Sequence, residues 1–393
     1  MAFAQQLRVP GPTPLPDRVV RSASRPMINH RGPEFAVLIR DVEEGLRWAL
    51  HTDNDVLIYP CSGTGGLEAG VVNTLSPGES ALFCSMGSFG DRWADIGAAY
   101  GADVHRLRVP AGEPIDPEDV ERILAENGDI STVFVTHNET STGVVNDLPA
   151  IAAVVKGRGK LLAVDSVSGA GCIPLETDAW QIDVLVTGSQ KGWMAPPGVA
   201  MVAVSKAALA RAETTTTPRW YLDFARERKF QQKGQTYTTP AISVLYAIQE
   251  GLAIMREEGI DNVWARHKRV AEMIRAGIDA LGLKFLAPEG HRSDTVTAMR
   301  NPLAGPDELK ELLTTLRTRH GLVLAGGQGD LVGKIFRIGH LGMVDESDVY
   351  SILATLEQGL HETGMRSRVG LAVPAAQAVV RSVQVSEQPA GVG

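Results

Sequence analysis

Residues 182–198 read IDVLVTGSQKGWMAPPG. Val184, Leu185 and Val186 have the length and β-branching of a buried strand, and Gly188 and Ser189 then punctuate it. Lys191 therefore stands just past a strand end. An amine in that position can attack a carbonyl carbon and hold a cofactor as a Schiff base, provided its surroundings leave part of it neutral. Most lysines are solvated, so this one gains its weight from its neighbours. Pro196, Pro197 and Gly198 impose a turn, and residues 199–204 (VAMVAV) form a second apolar run. The pair predicts a hairpin with Lys191 near its tip.

Working outward, the same punctuation recurs upstream. VLIY at 56–59 leads into SGTGG at 62–66 and a helix over 67–75. ALFC at 81–84 leads into SMGSFG and a helix over 91–100, TVFV at 132–135 ends in THNETSTG, and LLAV at 161–164 ends at Asp165. Alternating strands and helices predict a mainly parallel sheet with helices on both faces, a three-layer α/β domain. Ligands of such sheets bind beyond the carboxyl ends of the strands, where these loops fall.

Downstream the pattern changes to helices over 240–258 and 262–281, strands at 283–286, 295–299 and 334–338, and helices over 306–320 and 346–361, a smaller α+β domain. The chain thus divides into an N-terminal arm (1–20), a large domain (21–259), a small domain (260–369) and a flexible tail (370–393) without sustained period. Pro10, Pro12 and Pro14 exclude helix interior from the arm, and 33–50 reads as an amphipathic helix.

At 393 residues, with 46 acidic and 38 basic side chains, the net charge is −8. That balance argues against a general nucleic-acid or anionic-membrane surface. Cys61, Cys84 and Cys172 lack CxxC spacing, so neither a disulfide framework nor a zinc site is expected. No secretory core or membrane-length apolar run appears, and the expectation is a cytoplasmic protein without metal.

Several residues carry two readings. The loop around Thr64, Gly65 and Gly66 could face an anion with its amides and helix end, or be a plain turn. Asp165 could pair with a protonated ring nitrogen, or cap a helix. Phe89 could lie on a flat ring, or in the core. Thr140 and Gln190 could bond ring substituents, or backbone. Arg337, inside the apolar IFRIG, could hold a substrate carboxylate by its planar fork, or close a buried salt bridge.

Taken in order, SGTGGLEA, THNETSTGV, AVDSVSG, VTGSQKGWMAPPG and FRIGHLG resemble the class V, fold-type I aminotransferases that use pyridoxal 5'-phosphate, and most closely their serine–glyoxylate and alanine–glyoxylate group; PGPTPLPDRV resembles that group's N-terminal segment. The resemblance spans about residues 8–360 and implies a homodimer with shared active sites. It implies that Lys191 is the Schiff-base lysine and proton carrier, that Asp165 pairs with the pyridine nitrogen, that Phe89 stacks on the ring and that Thr140 contacts the ring hydroxyl. Val167 would border the cofactor. Thr64, Gly65, Gly66 and Gln190 would hold the phosphate, with Thr238 reaching in from the second subunit. Arg337, with Thr140 and Gly11, would receive the substrate. Two departures stand out: some relatives have His at the position of Gly66, and a phosphate-facing Tyr of others corresponds to Gln235 or is displaced to Tyr237. The implied reaction is a ping-pong transfer from serine or alanine to glyoxylate or pyruvate. Pyridoxamine–pyruvate and 2-aminoethylphosphonate transaminases share much of the motif set. Cysteine desulfurase would need a nucleophilic Cys in the small domain, and a non-catalytic scaffold would not need Lys191.

Overall fold

The computed structural model describes residues 5–364 and 369–387, with side chains to residue 381. Seven strands form the main sheet: β1 (Asp55–Tyr59), β2 (Ser80–Ser85), β3 (Asp103–Arg108), β4 (Thr132–Thr136), β5 (Leu161–Asp165), β6 (Val184–Gly188) and β7 (Ala200–Val204). Their spatial order is β1-β7-β6-β5-β4-β2-β3, and only β7 runs antiparallel to its neighbours. The hairpin read from 184–204 is therefore present.

Successive residues of these apolar strands enter opposite cores. Ile58, Val133, Val135, Leu162, Val164 and Leu185 pack on one face. Leu57, Phe134, Ala163, Val184 and Val186 pack on the other. Burial on both faces is what a strand without polar alternation requires. Strand β3, DVHRLR, was not legible as a strand because it lies at the sheet edge with its side chains half-exposed, where charge protects an open edge.

A third core belongs to the second sheet, β8 (Val296–Arg300), β9 (Ala325–Gly326) and β10 (Ile335–Gly339), ordered β8-β10-β9 and antiparallel. The helices Ile260–Ala280, Pro306–Arg319 and Glu346–Glu362 cover it. Helix Ile260–Ala280 joins the two bodies: Ile260 and Val263 lie in a large-sheet core, Val270 onward in the small-sheet core.

Two expectations fail here. The strand at 283–286 is a single bridge between Phe285 and Met299, because the Leu283 N–H turns back to Ile278 O to close the preceding helix. The tail from 370 is a helix over Ala372–Glu387 packed on the helices Ile260–Ala280 and Glu346–Glu362. Its buried Ala372 and Ala376, with Val373 and Val380 beside them, form an apolar stripe too small-sided to stand out in the sequence. Residues 388–393 of that tail lie outside the described residues. Among the described residues, no helix is long and apolar enough to cross a membrane.

Candidate active site

Lys191 is delivered by a loop with little freedom. Ser189 bonds across the turn to Val199 and Pro196, and Trp193 donates its indole N–H to Thr187 Oγ1 at 2.8 Å. Gly192 packs so tightly that a Cβ there would stand 2.6 Å from Cys172 Sγ. The lysine is 8% exposed, and its Nζ donates to Pro10 O. Burial lowers its pKa to about 8; the charge of Arg337 adds to the fall, while Asp165 and Glu139 oppose it.

The N-terminal arm comes to the lysine as a strap. Residues Gln6–Leu7 pair in parallel with Leu322–Val323, and Gly339 N donates to Arg8 O. The Arg8 guanidinium pairs with Asp348. Thr13 then ties its N–H to Gln190 O and its hydroxyl to Lys191 O, both at 3.2 Å. Gly11 lies between, at φ 124°, and a Cβ there would sit 2.5 Å from Lys191 Nζ.

Asp165 ends β5 fully buried. Its Oδ1 accepts the Val167 N–H at 2.9 Å. Burial pushes its carboxyl up to about 7 and the charge of Glu139 adds to the rise, against that hydrogen bond and the charges of Lys191 and Arg92. Between Asp165 and Lys191 opens a cavity of about 210 Å³ whose walls include Gly11, Ser62, Gly63, Thr64, Phe89, Arg92, Val167 and Gln190. The helix Gly63–Thr74 begins at this wall, and its N-cap Ser62 makes no side-chain cap bond. That leaves a positive helix end toward the cavity. Arg92 adds charge there, donating to Thr64 Oγ1 at 3.3 Å with its guanidinium 4.8 Å from the Phe89 ring centroid.

Of the residues singled out in the sequence, Gly11, Thr64, Phe89, Asp165, Val167, Gln190 and Lys191 meet at this cavity. Gly65 and Gly66 do not line it. A Cβ on Gly66 would stand 2.6 Å from Val186 Cγ1, so a larger residue at position 66 has no room here. Thr140 is buried behind the wall, its hydroxyl donating to Ser168 Oγ at 2.7 Å. Arg337 also stands back from the cavity: Nε and Nη2 donate to Gly326 O at 3.0 and 2.7 Å, and Nη1 to Thr140 O at 2.8 Å. Those partners are backbone carbonyls, and among the described residues no carboxylate closes the salt bridge that was the other reading of this arginine. Burial lowers its pKa to about 10. Thr238 does not reach the cavity of its own chain; its carbonyl accepts the Thr236 hydroxyl at 2.7 Å.

Sequence reading missed Pro10, Arg92 and the wholly buried Glu139. Arg92, three residues after Phe89, is one helical turn away and so on the same face. Pro10 acts through its carbonyl, which no side-chain pattern reveals. Burial pushes the thiols of Cys61 and Cys172 up to about 11 and that of Cys84 to about 12, which disfavours the nucleophilic thiolate.

The cavity thus offers an anion end, an acid that needs a cationic partner, an aromatic wall and an amine with a lowered pKa. Gln190 Oε1 is buried without a hydrogen-bond partner; that acceptor calls for a donor, and the side-chain NH2 is the end that suits a phosphate. This donor set fits a flat, phosphorylated, nitrogen-containing aldehyde.

Comparisons with known proteins give the family. The family Aminotransferase class-V matches residues 10–328. A protein of Anabaena cylindrica described as the soluble hydrogenase 42 kDa subunit is 40% identical over 361 residues, covering 91% of this chain and 94% of its own. The L-aspartate–glyoxylate aminotransferase of Paracoccus denitrificans is 37% identical with 99% of each chain covered. The crystal structure of ureidoglycine–glyoxylate aminotransferase from Bacillus subtilis has a TM-score of 0.91 at 28% identity, covering 97% of this chain and 99% of that one. The chain belongs to the class-V aminotransferases and is a transaminase that works with pyridoxal phosphate.

Proposed function

We propose that the chain moves the amino group of a small amino acid, serine or alanine, to glyoxylate or pyruvate in two half-reactions at one site. The carrying observation is the buried Lys191 amine, lowered to about 8, at a cavity shared with Asp165 and an uncapped helix end. Pyridoxal phosphate, when bound, supplies a carbonyl carbon and a ring that withdraws electrons.

The chain's own residues do the rest. Lys191 would hold that carbon through its Nζ and would carry the proton of the donor's α-carbon. Asp165 would pair with a protonated ring nitrogen, Phe89 would lie against the ring and Val167 would border it. Thr64, the amides that begin its helix, Gln190 and Arg92 would take the phosphate; Gly66 lets that helix lie close to the sheet, and Gly65 packs on Cys61. Arg337, steadied by Gly326 and Thr140, receives the carboxylate of donor and acceptor, and the strap at Gly11 covers the lysine. Thr238 serves the site of a second copy, so the working unit is a homodimer with shared active sites, in the cytoplasm.

A single guanidinium fork suits a small monocarboxylic amino acid. Because one relative is named for aspartate, the decisive panel is wide. Single-turnover spectra of the cofactor-loaded protein with serine, alanine, aspartate, pyridoxamine and 2-aminoethylphosphonate separate the readings. Serine or alanine should deplete the lysine-bound cofactor band fastest and yield the matching keto acid. Depletion by aspartate, pyridoxamine or the phosphonate, with serine and alanine inert, would overturn the donor assignment.

A further inference from the structure

Glu139 has 0% exposure, and four donors from two segments converge on it. Oε1 accepts the Ser141 N–H at 3.0 Å and its hydroxyl at 2.6 Å; Oε2 accepts the N–H groups of Phe89 and Gly90 at 3.1 and 3.2 Å. Those two amides open the helix Ser88–Ala99, whose own N-cap residue Gly87 makes no side-chain cap bond. The cap is supplied from another part of the chain, with a carboxylate at the positive helix end. Gly87 leaves room for it: a Cβ there would stand 2.6 Å from Glu139 Cγ. Ser141 Oγ closes the contact by accepting the Ser88 N–H at 3.0 Å.

Each end of this cluster touches the site. Phe89 lines the cavity, and Thr140, next in the chain after Glu139, gives its carbonyl to Arg337 Nη1 at 2.8 Å. We propose that Glu139 is a positioning residue that holds the Phe89 ring and the Arg337 fork in one frame, so that the cofactor face and the substrate carboxylate stay in register. Its charge is also felt at Lys191, Asp165 and Arg337. The proposal rests on the reading of this cavity as the cofactor's.

Glu139→Ala removes the frame and leaves the Phe89 and Gly90 amides unpartnered. Glu139→Gln keeps an acceptor for those amides and loses the one for the Ser141 N–H. Three readouts apply: the visible circular dichroism band of bound pyridoxal phosphate, donor KM against kcat, and thermal unfolding of the cofactor-free protein. The alanine variant should weaken the band and raise donor KM about tenfold or more, and glutamine should bring KM back to within about fivefold of wild type. A variant that melts earlier but keeps the wild-type band, KM and kcat would make Glu139 a structural cap only and overturn the proposal. Where the alanine variant does not fold, Glu139→Asp takes its place, one methylene too short to reach both segments: a weakened band and a raised donor KM support the role, and wild-type values in both refute it. A wild-type protein that binds no pyridoxal phosphate would instead overturn the cavity reading, and this proposal with it.

Discussion

Replacing Gly11 by alanine tests whether the N-terminal strap touches the reacting lysine. The backbone there has φ 124°, and the new Cβ would stand 2.5 Å from Lys191 Nζ and 2.7 Å from both Cδ and Cε. Non-bonded carbons rest at about 3.5–4.0 Å, so lysine and strap must part by roughly 1 Å. A displacement of that size at a reacting group costs about 10²-fold in rate, or about 2.7 kcal/mol of barrier. The left-handed backbone adds about 1–2 kcal/mol of folding strain. Gly78→Ala is the control, because Gly78 has φ 83° with nothing within 4 Å of its added Cβ. Thermal unfolding and initial transamination rates are measured on both variants. Both should melt earlier than wild type, and Gly11→Ala alone should lose about two orders of magnitude in turnover. Equal turnover in the two variants would refute the argument that the strap sets the lysine's place.

Other predictions follow from single contacts. Arg337→Lys keeps the charge but loses the planar fork held on Gly326 O and Thr140 O, so donor KM should rise about tenfold or more with a smaller change in kcat; steady-state kinetics would show an unchanged KM if the fork has no role. In the cofactor-free protein, burial raises Asp165 from its ordinary 3.8 to about 7, so its stabilising contribution is present below about pH 4 and is lost as pH rises toward 7. Asp165→Asn should therefore unfold at higher denaturant than wild type at pH 7, with the gain vanishing near pH 4, while transamination is severely reduced. Lys191 has the opposite sign of shift, so its destabilising effect is full below about pH 8 and fades toward 10.5. Lys191→Met, without cofactor, should be more stable than wild type at pH 7 and equal to it near pH 11, which chemical denaturation across pH reads directly.

The parts legible in the sequence were those with a strong local cause. Residues 184–204 declared their hairpin because two unbroken apolar runs flank a Pro-Pro-Gly turn, and Asp165 stood out as an acid ending an apolar strand. The unpaired Arg337 was legible as an anomaly, but its resolution came from Gly326 and Thr140, far away in sequence. What stayed hidden depends on long-range packing. The edge strand Asp103–Arg108 carries charge where the sheet ends, and the helix Ala372–Glu387 hides its stripe in alanines. The Pro10 contact is made by backbone, and Glu139 caps a helix 50 residues away through its side chain. A pattern of residue types records none of these, because the partner is fixed only once the chain has folded.

The most direct test is to load the purified protein with pyridoxal phosphate, reduce it with borohydride and locate the modified residue by peptide mapping. The account predicts one modified site, Lys191, and none in Lys191→Ala. Modification at another lysine, or an unmodified Lys191 in a loaded protein, would contradict it.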